Sequence, residues 1–234
     1  MNTADIPFLS TAALGRLIAQ KEVSPVEVTE AYLRRIDDVD FKFNAYLTVC
    51  RTEAMVAARE AEQAILRGEY RGPLHGIPVA VKDQFWTKGI RSTGGSRILA
   101  DFVPEEDATV ITKLKQAGAV LLGKTNLTEL AITGFSHRFS TPRNPWNLEM
   151  YTGGSSSGSG AATAAFLCAT SLGEDTGGSI RFPANLVRPG GFQTQLGLGE
   201  PLRGDAWRLV HGYSRPYLAH GRGCGDHPGS HRWL

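Results

Sequence analysis

Ile77-Pro78-Val79-Ala80-Val81-Lys82 and Ala119-Val120-Leu121-Leu122 are short apolar runs rich in β-branched residues, and each reads as a buried strand. Between them, Asp107 is expected to cap a helix that buries Val110, Ile111 and Leu114, carries Lys115 and stops at Gly118. Strand, helix, strand is the repeating unit of a parallel sheet, because a helical crossover returns the chain to start its next strand beside the last. The expected fold class is therefore α/β. Upstream, Ser24-Pro25-Val26-Glu27 reads as a capping box with proline in the first turn, and Val28, Ala31, Tyr32 and Ile36 follow at helical spacing. Thr52 to Arg67 predicts a second helix with an alanine-rich stripe, ended by Gly68, and the two are expected to pack together. Downstream, Ala161 to Ala169 is helix-prone and follows a Gly/Ser run from Gly153 to Gly160, which predicts a loop feeding a helix amino terminus.

Composition narrows the class of protein. With 41% hydrophobic and 21% charged residues over 234 positions, the chain can bury a globular core. A net charge of +2, with both signs mixed, implies no polyanion partner and no direct nucleic-acid contact. Three widely spaced cysteines, Cys50, Cys168 and Cys224, provide neither a disulfide framework nor a paired metal motif. The amino terminus lacks a basic and then apolar leader, and no run approaches the ~18 apolar residues of a bilayer span. A soluble protein of the reducing cytoplasm is expected.

Two segments point to chemistry. Gly153 to Gly160 is a flexible linker or a built loop. In Glu174-Asp175-Thr176-Gly177-Gly178-Ser179-Ile180-Arg181-Phe182-Pro183, paired glycines directly before a serine let several amides converge on one point, which suits an oxyanion hole. Ser179 is then a candidate nucleophile. Within the first 187 residues the only histidines are His75 and His137, neither in a hydrolase motif, so both read as structural or surface groups. A lysine can replace histidine as base when burial disfavours its ammonium form, and Lys82 at the end of an apolar strand is the best placed. Spacing alone favours the other reading, in which Lys82 snorkels from the strand end into solvent.

Taken in order and spacing, His75 to Asp83, Gly123-Lys124-Thr125-Asn126, Asn144-Pro145-Trp146, Gly153 to Gly160 and Asp175 to Pro183 resemble the amidase-signature family. The resemblance runs from about Ser24 to Val187. It implies an α/β fold whose mixed sheet is covered by helices on both faces, of which this chain holds the amino-terminal half. It also implies Lys82 as general base, Ser155 as a bridging serine beside a cis peptide bond, and Ser179 as the acyl-accepting nucleophile. The amides of Thr176, Gly177, Gly178 and Ser179 would form the oxyanion hole, and Asp175 with Arg181 would brace the loop. The implied substrate is a small-molecule amide, cleaved through an acyl-enzyme with no metal and no organic cofactor. General amide hydrolases and the subunit that amidates misacylated glutamyl-tRNA share these motifs, and a non-catalytic fragment is the further alternative. Oligomeric state is left open. One departure is Ser157, which stands where the family usually has glycine.

Gly118-Ala119-Val120-Leu121-Leu122-Gly123-Lys124-Thr125 satisfies the phosphate-loop pattern G-x-x-x-x-G-K-[ST] literally. Its context is wrong, because a phosphate loop follows a strand and opens a helix, whereas here the intervening residues are the strand itself.

After Val187 the composition changes. Residues 188–234 contain no lysine and no isoleucine, yet hold ten of the 27 glycines and four of the six histidines, and they carry a net +3 against −1 for the rest. Composition alone predicts a disordered basic tail. A second reading is a one-nucleotide insertion near codon 187. With permitted codons, removing one cytidine after that codon turns Val187 to Gly197 into VGLVGFKPNWG, and the match to typical family sequence continues to the end. Trp207 and Trp233 each force glycine in the restored register, where glycine suits the family. On this view Cys224 and the tail histidines carry no functional meaning.

Overall fold

Ser24 does cap a helix: its hydroxyl accepts from the Glu27 N–H at 3.0 Å, and Glu27 Oε2 accepts from the Ser24 N–H at 2.9 Å. That box starts α2 (Pro25–Phe43), which ends at Asn44 in the left-handed region. The computed structural model describes residues 2–132 and 134–187, and the backbone of two short strands beyond them. The reading of residues 188–234 as a disordered, out-of-register tail falls largely outside the described residues.

Before α2 lies α1 (Thr11–Ala19), and after it come β1 (Tyr46–Val49) and α3 (Arg51–Leu66), the expected second helix displaced by one residue. Then follow β2 (Pro78–Lys82), α4 (Thr109–Gln116) and β3 (Val120–Thr125), the strand-helix-strand unit. A two-stranded hairpin, β4 (Arg143–Asn144) with β5 (Asn147–Tyr151), precedes α5 (Ser157–Ala164), β6 (Thr170–Glu174) and α6 (Arg181–Val187). The last described strands are β7 (Gly190–Gly191) and β8 (Ser214–Leu218).

Six strands form one mixed sheet in the order β1-β3-β2-β6-β8-β7. Its centre is parallel, β3 beside β2 beside β6, while β1, β8 and β7 join antiparallel pairs. Every residue of β2, β3 and β6 is buried, so both faces of the central strands are covered. The core joins Ile18, Val28, Tyr32 and Ile36 from the first helices to Val79, Val81, Val120 and Leu122 from the sheet.

Two expectations are corrected. Asp107 does not cap α4, whose cap is Ala108 with no side-chain bond. Asp107 instead accepts from the Lys88 N–H and the Lys115 ammonium, both at 2.7 Å, and so ties the preceding loop to the helix. The Gly/Ser run is also not a loop throughout, because its second half is the first turn of α5. Helix propensity is overridden there by space. A Cβ on Gly158 would collide with the Ala45 carbonyl and the Asn126 backbone, so the small residues let this turn lie directly on neighbouring backbone. Ser157 is the first residue of that helix and donates to the Gly153 carbonyl, so its position asks for none of glycine's conformational freedom.

Candidate active site

Because β2 and β6 are parallel neighbours, with Val81 opposite Leu172, their carboxyl ends emerge together at one edge of the sheet. That edge is where α/β sheets receive ligands. Lys82 ends β2 and Glu174 ends β6. Ser155 lies just ahead of α5, after a cis Gly154–Ser155 peptide. Lys82 does not snorkel: it is wholly buried, and its Nζ lies 2.7 Å from Ser155 Oγ. The same nitrogen is 3.2 Å from Glu174 Oε2 and 3.4 Å from the Glu174 carbonyl oxygen.

The loop after β6 is organised by Asp175. Its Oδ1 accepts from the Gly178 N–H at 2.7 Å, and its Oδ2 accepts from the N–H groups of Ile180 and Arg181 at 3.2 Å each. The Arg181 guanidinium adds two bonds, both 3.1 Å. Burial pushes this carboxyl up, but Arg181 and the three amides outweigh it and hold it down to about 2. Ser179 is half-buried, and its carbonyl accepts from the Ser156 N–H at 3.1 Å, which joins the two serine-bearing loops. Thr176 and Gly177 are exposed beside it. The Gly178 amide is turned onto Asp175, whereas those of Thr176, Gly177 and Ser179 meet no acceptor among the described residues.

Other candidates resolve into structure. Lys124 of the phosphate-loop pattern is buried in β3, donates to the Phe85 carbonyl and Ser92 Oγ at 2.6 Å each, and faces Asp83 Oδ1 at 3.5 Å. Burial pushes Lys124 down and Asp83 up, and their pairing opposes both shifts. His75 is buried against Gly118, stacks on Tyr70 and accepts from the Arg71 N–H. His137 is exposed on the wall of a cavity of about 600 Å³ that Arg97, Glu129 and Arg138 also line. Burial raises both described thiols, Cys50 and Cys168, to about 12, which keeps them protonated and poor nucleophiles. Glu174 was not singled out as a site residue on sequence. It ends a strand of small and polar residues, Thr170-Ser171-Leu172-Gly173, that carries no β-rich signal, although an acid next to Asp175 in this loop was a visible cue.

A family model described as Amidase matches residues 27–198. The chain belongs to the amidase family. Among curated relatives, this amidase chain is 55% identical over 170 residues to a glutamyl-tRNA(Gln) amidotransferase subunit of Geobacter metallireducens, covering 72% of the chain and 35% of that protein. The same subunit from Carboxydothermus hydrogenoformans is 50% identical over 182 residues, covering 77% of the chain and 38% of the relative. The chain thus spans little more than a third of these relatives. Among solved structures, the native peptide amidase from Stenotrophomonas maltophilia superposes with a TM-score of 0.82 at 33% identity, over 90% of the chain and 45% of that structure. A fatty acid amide hydrolase superposes at 0.81 with 27% identity, over 93% and 39%. No helix among the described residues is long and apolar enough to cross a membrane.

Proposed function

We propose that this chain carries the reacting centre of an amide hydrolase working through Lys82, Ser155 and Ser179. The observation that carries the proposal is the buried 2.7 Å contact between Lys82 Nζ and Ser155 Oγ, beside the loop that presents Ser179. Neutral Lys82 takes the Ser155 proton as Ser155 takes that of Ser179, and Ser179 Oγ attacks the amide carbonyl. The Thr176, Gly177 and Ser179 amides receive the resulting oxyanion, while the Gly178 amide serves Asp175 and holds the turn. The proton returns through Ser155 to the departing amine or ammonia. Water then attacks the Ser179 ester and releases the acid.

The substrate is a small molecule bearing a carboxamide, and the two buried thiols suit a reducing cytoplasm. A second reading, as an amidotransferase subunit that passes ammonia onward, is favoured by the names of the relatives at 44–55% identity. Ammonia release from glutamine, acetamide and a peptide carboxamide, each assayed with wild type and Ser179→Ala, tests both. Turnover that vanishes in Ser179→Ala at an unchanged melting temperature is expected, and turnover that survives sinks the assignment. Glutamine alone as donor selects the amidotransferase reading. A folded wild type inert towards all three is the non-catalytic fragment.

We further propose that residues 188–234 are read out of register. The family match runs to residue 198, past the break near codon 187, and Gly191-Phe192 is encoded in both registers there.

A further inference from the structure

Resting on the proposed roles of Lys82 and Ser155, we infer that Glu174 is a positioning residue of the same relay, one that aims the Lys82 lone pair and holds the charge Lys82 acquires. A neutral amine has two N–H donors and one lone pair. Glu174 offers Lys82 two acceptors, its carbonyl at 3.4 Å and Oε2 at 3.2 Å, while Ser155 Oγ lies at 2.7 Å. With both N–H groups turned to Glu174, the lone pair faces the Ser155 hydroxyl. When Lys82 takes the proton, the new ammonium already faces a carboxylate in a site where both side chains are almost wholly buried, 0% and 2% exposed. Screening there is weak and the attraction large.

The carboxylate is itself held. Thr176 Oγ1 donates to Glu174 Oε1, the Glu174 N–H donates to Ser156 Oγ at 3.2 Å, and Ser156 Oγ donates back to the Glu174 carbonyl at 3.0 Å. Thr176 lies in the proposed oxyanion loop, so Glu174 connects base and loop. The neighbouring charges are otherwise engaged: Asp83 faces Lys124 from β3, and Asp175 is bound by Arg181 from α6. The cost of this device is that Glu174 also favours the protonated amine, so Lys82 becomes a stronger base that is free only at higher pH.

The test is an NMR pH titration of the full chain labelled at lysine Cε, with Lys82→Met used for assignment. In Glu174→Gln, which keeps an acceptor oxygen but loses the charge, the Lys82 signal should move at a pH lower by about 1–3 units. Glu174→Ser serves if the glutamine variant folds poorly. An unmoved Lys82 titration in the variants overturns the inference. In parallel, the rate at which a fluorophosphonate modifies Ser179, followed by intact mass, should have its acidic limb displaced to lower pH in Glu174→Gln. Failure of wild type to react at Ser179 sinks the hydrolase proposal, while the NMR titration still decides the role of Glu174 on its own.

Discussion

Lys124 and Asp83 form a buried charged pair outside the proposed relay. Both are fully buried, and Lys124 also bonds the Phe85 carbonyl and Ser92, so the pair fastens the segment after β2 onto β3. Lys124→Met should cost about 3–5 kcal/mol in a denaturant melt, because it strands the Asp83 charge, and adding Asp83→Asn should recover much of the loss. A loss below about 1 kcal/mol would mean that the pair behaves like an exposed one. Asp175 gives a signed pH dependence. Its carboxyl is held down to about 2, so the stability it contributes is whole above the unfolded value near 4 and drains away as pH falls towards 2. Melting curves of wild type and Asp175→Asn should therefore be well separated at neutral pH and converge across that interval; a constant gap would remove the loop-bracing role. At this scale the sequence was most legible where several motifs agreed. Lys82, Ser155 and Ser179 could be nominated by resemblance, and Lys82 and Ser155 do meet. The burial that decides whether Lys82 faces solvent or serine comes from strand order, which no local window contains.

Elements were legible where a local device starts or stops them. The Ser24 capping box, Gly68 and Gly118 each mark a boundary found within a residue or two. The carboxylate of Asp107 was drawn away by the Lys88 N–H from the preceding loop and by the Lys115 ammonium from within the helix, a competition that a capping rule does not include. In the same way, α5 begins inside a Gly/Ser run because Gly158 must lie against the Ala45 and Asn126 backbone. Gly158→Ala should consequently destabilise the fold by about 1–3 kcal/mol, although alanine is the better helix former. A melting temperature that rises in that variant would show the turn to be looser than its contacts imply.

On the scale of the whole chain, the hairpin and α6 are joined by the Trp146 Nε1–H donated to the Val187 carbonyl at 2.8 Å, yet Trp146, Met150, Tyr151 and Phe182 remain 48–71% exposed. Apolar exposure of that kind invites association. Sequencing across codons 180 to 200 should reveal either one surplus nucleotide near codon 187 in the gene itself or a gene without it that runs on in the restored register. A gene whose nucleotides encode residues 188–234 as they stand and give no family sequence when one base is removed would reject the frameshift proposal. The protein expressed in the restored register should bind less of a hydrophobic dye and melt at a higher temperature than this chain; equal values would count against it.

The carboxyl ends of β2 and β6 bring Lys82, Ser155, Glu174 and the Ser179 loop together from one uninterrupted stretch of polypeptide. Everything that would move protons is therefore inherited as one block. On the proposed roles, substitutions outside that block can be tolerated or exchanged without disturbing the path along which the protons would travel.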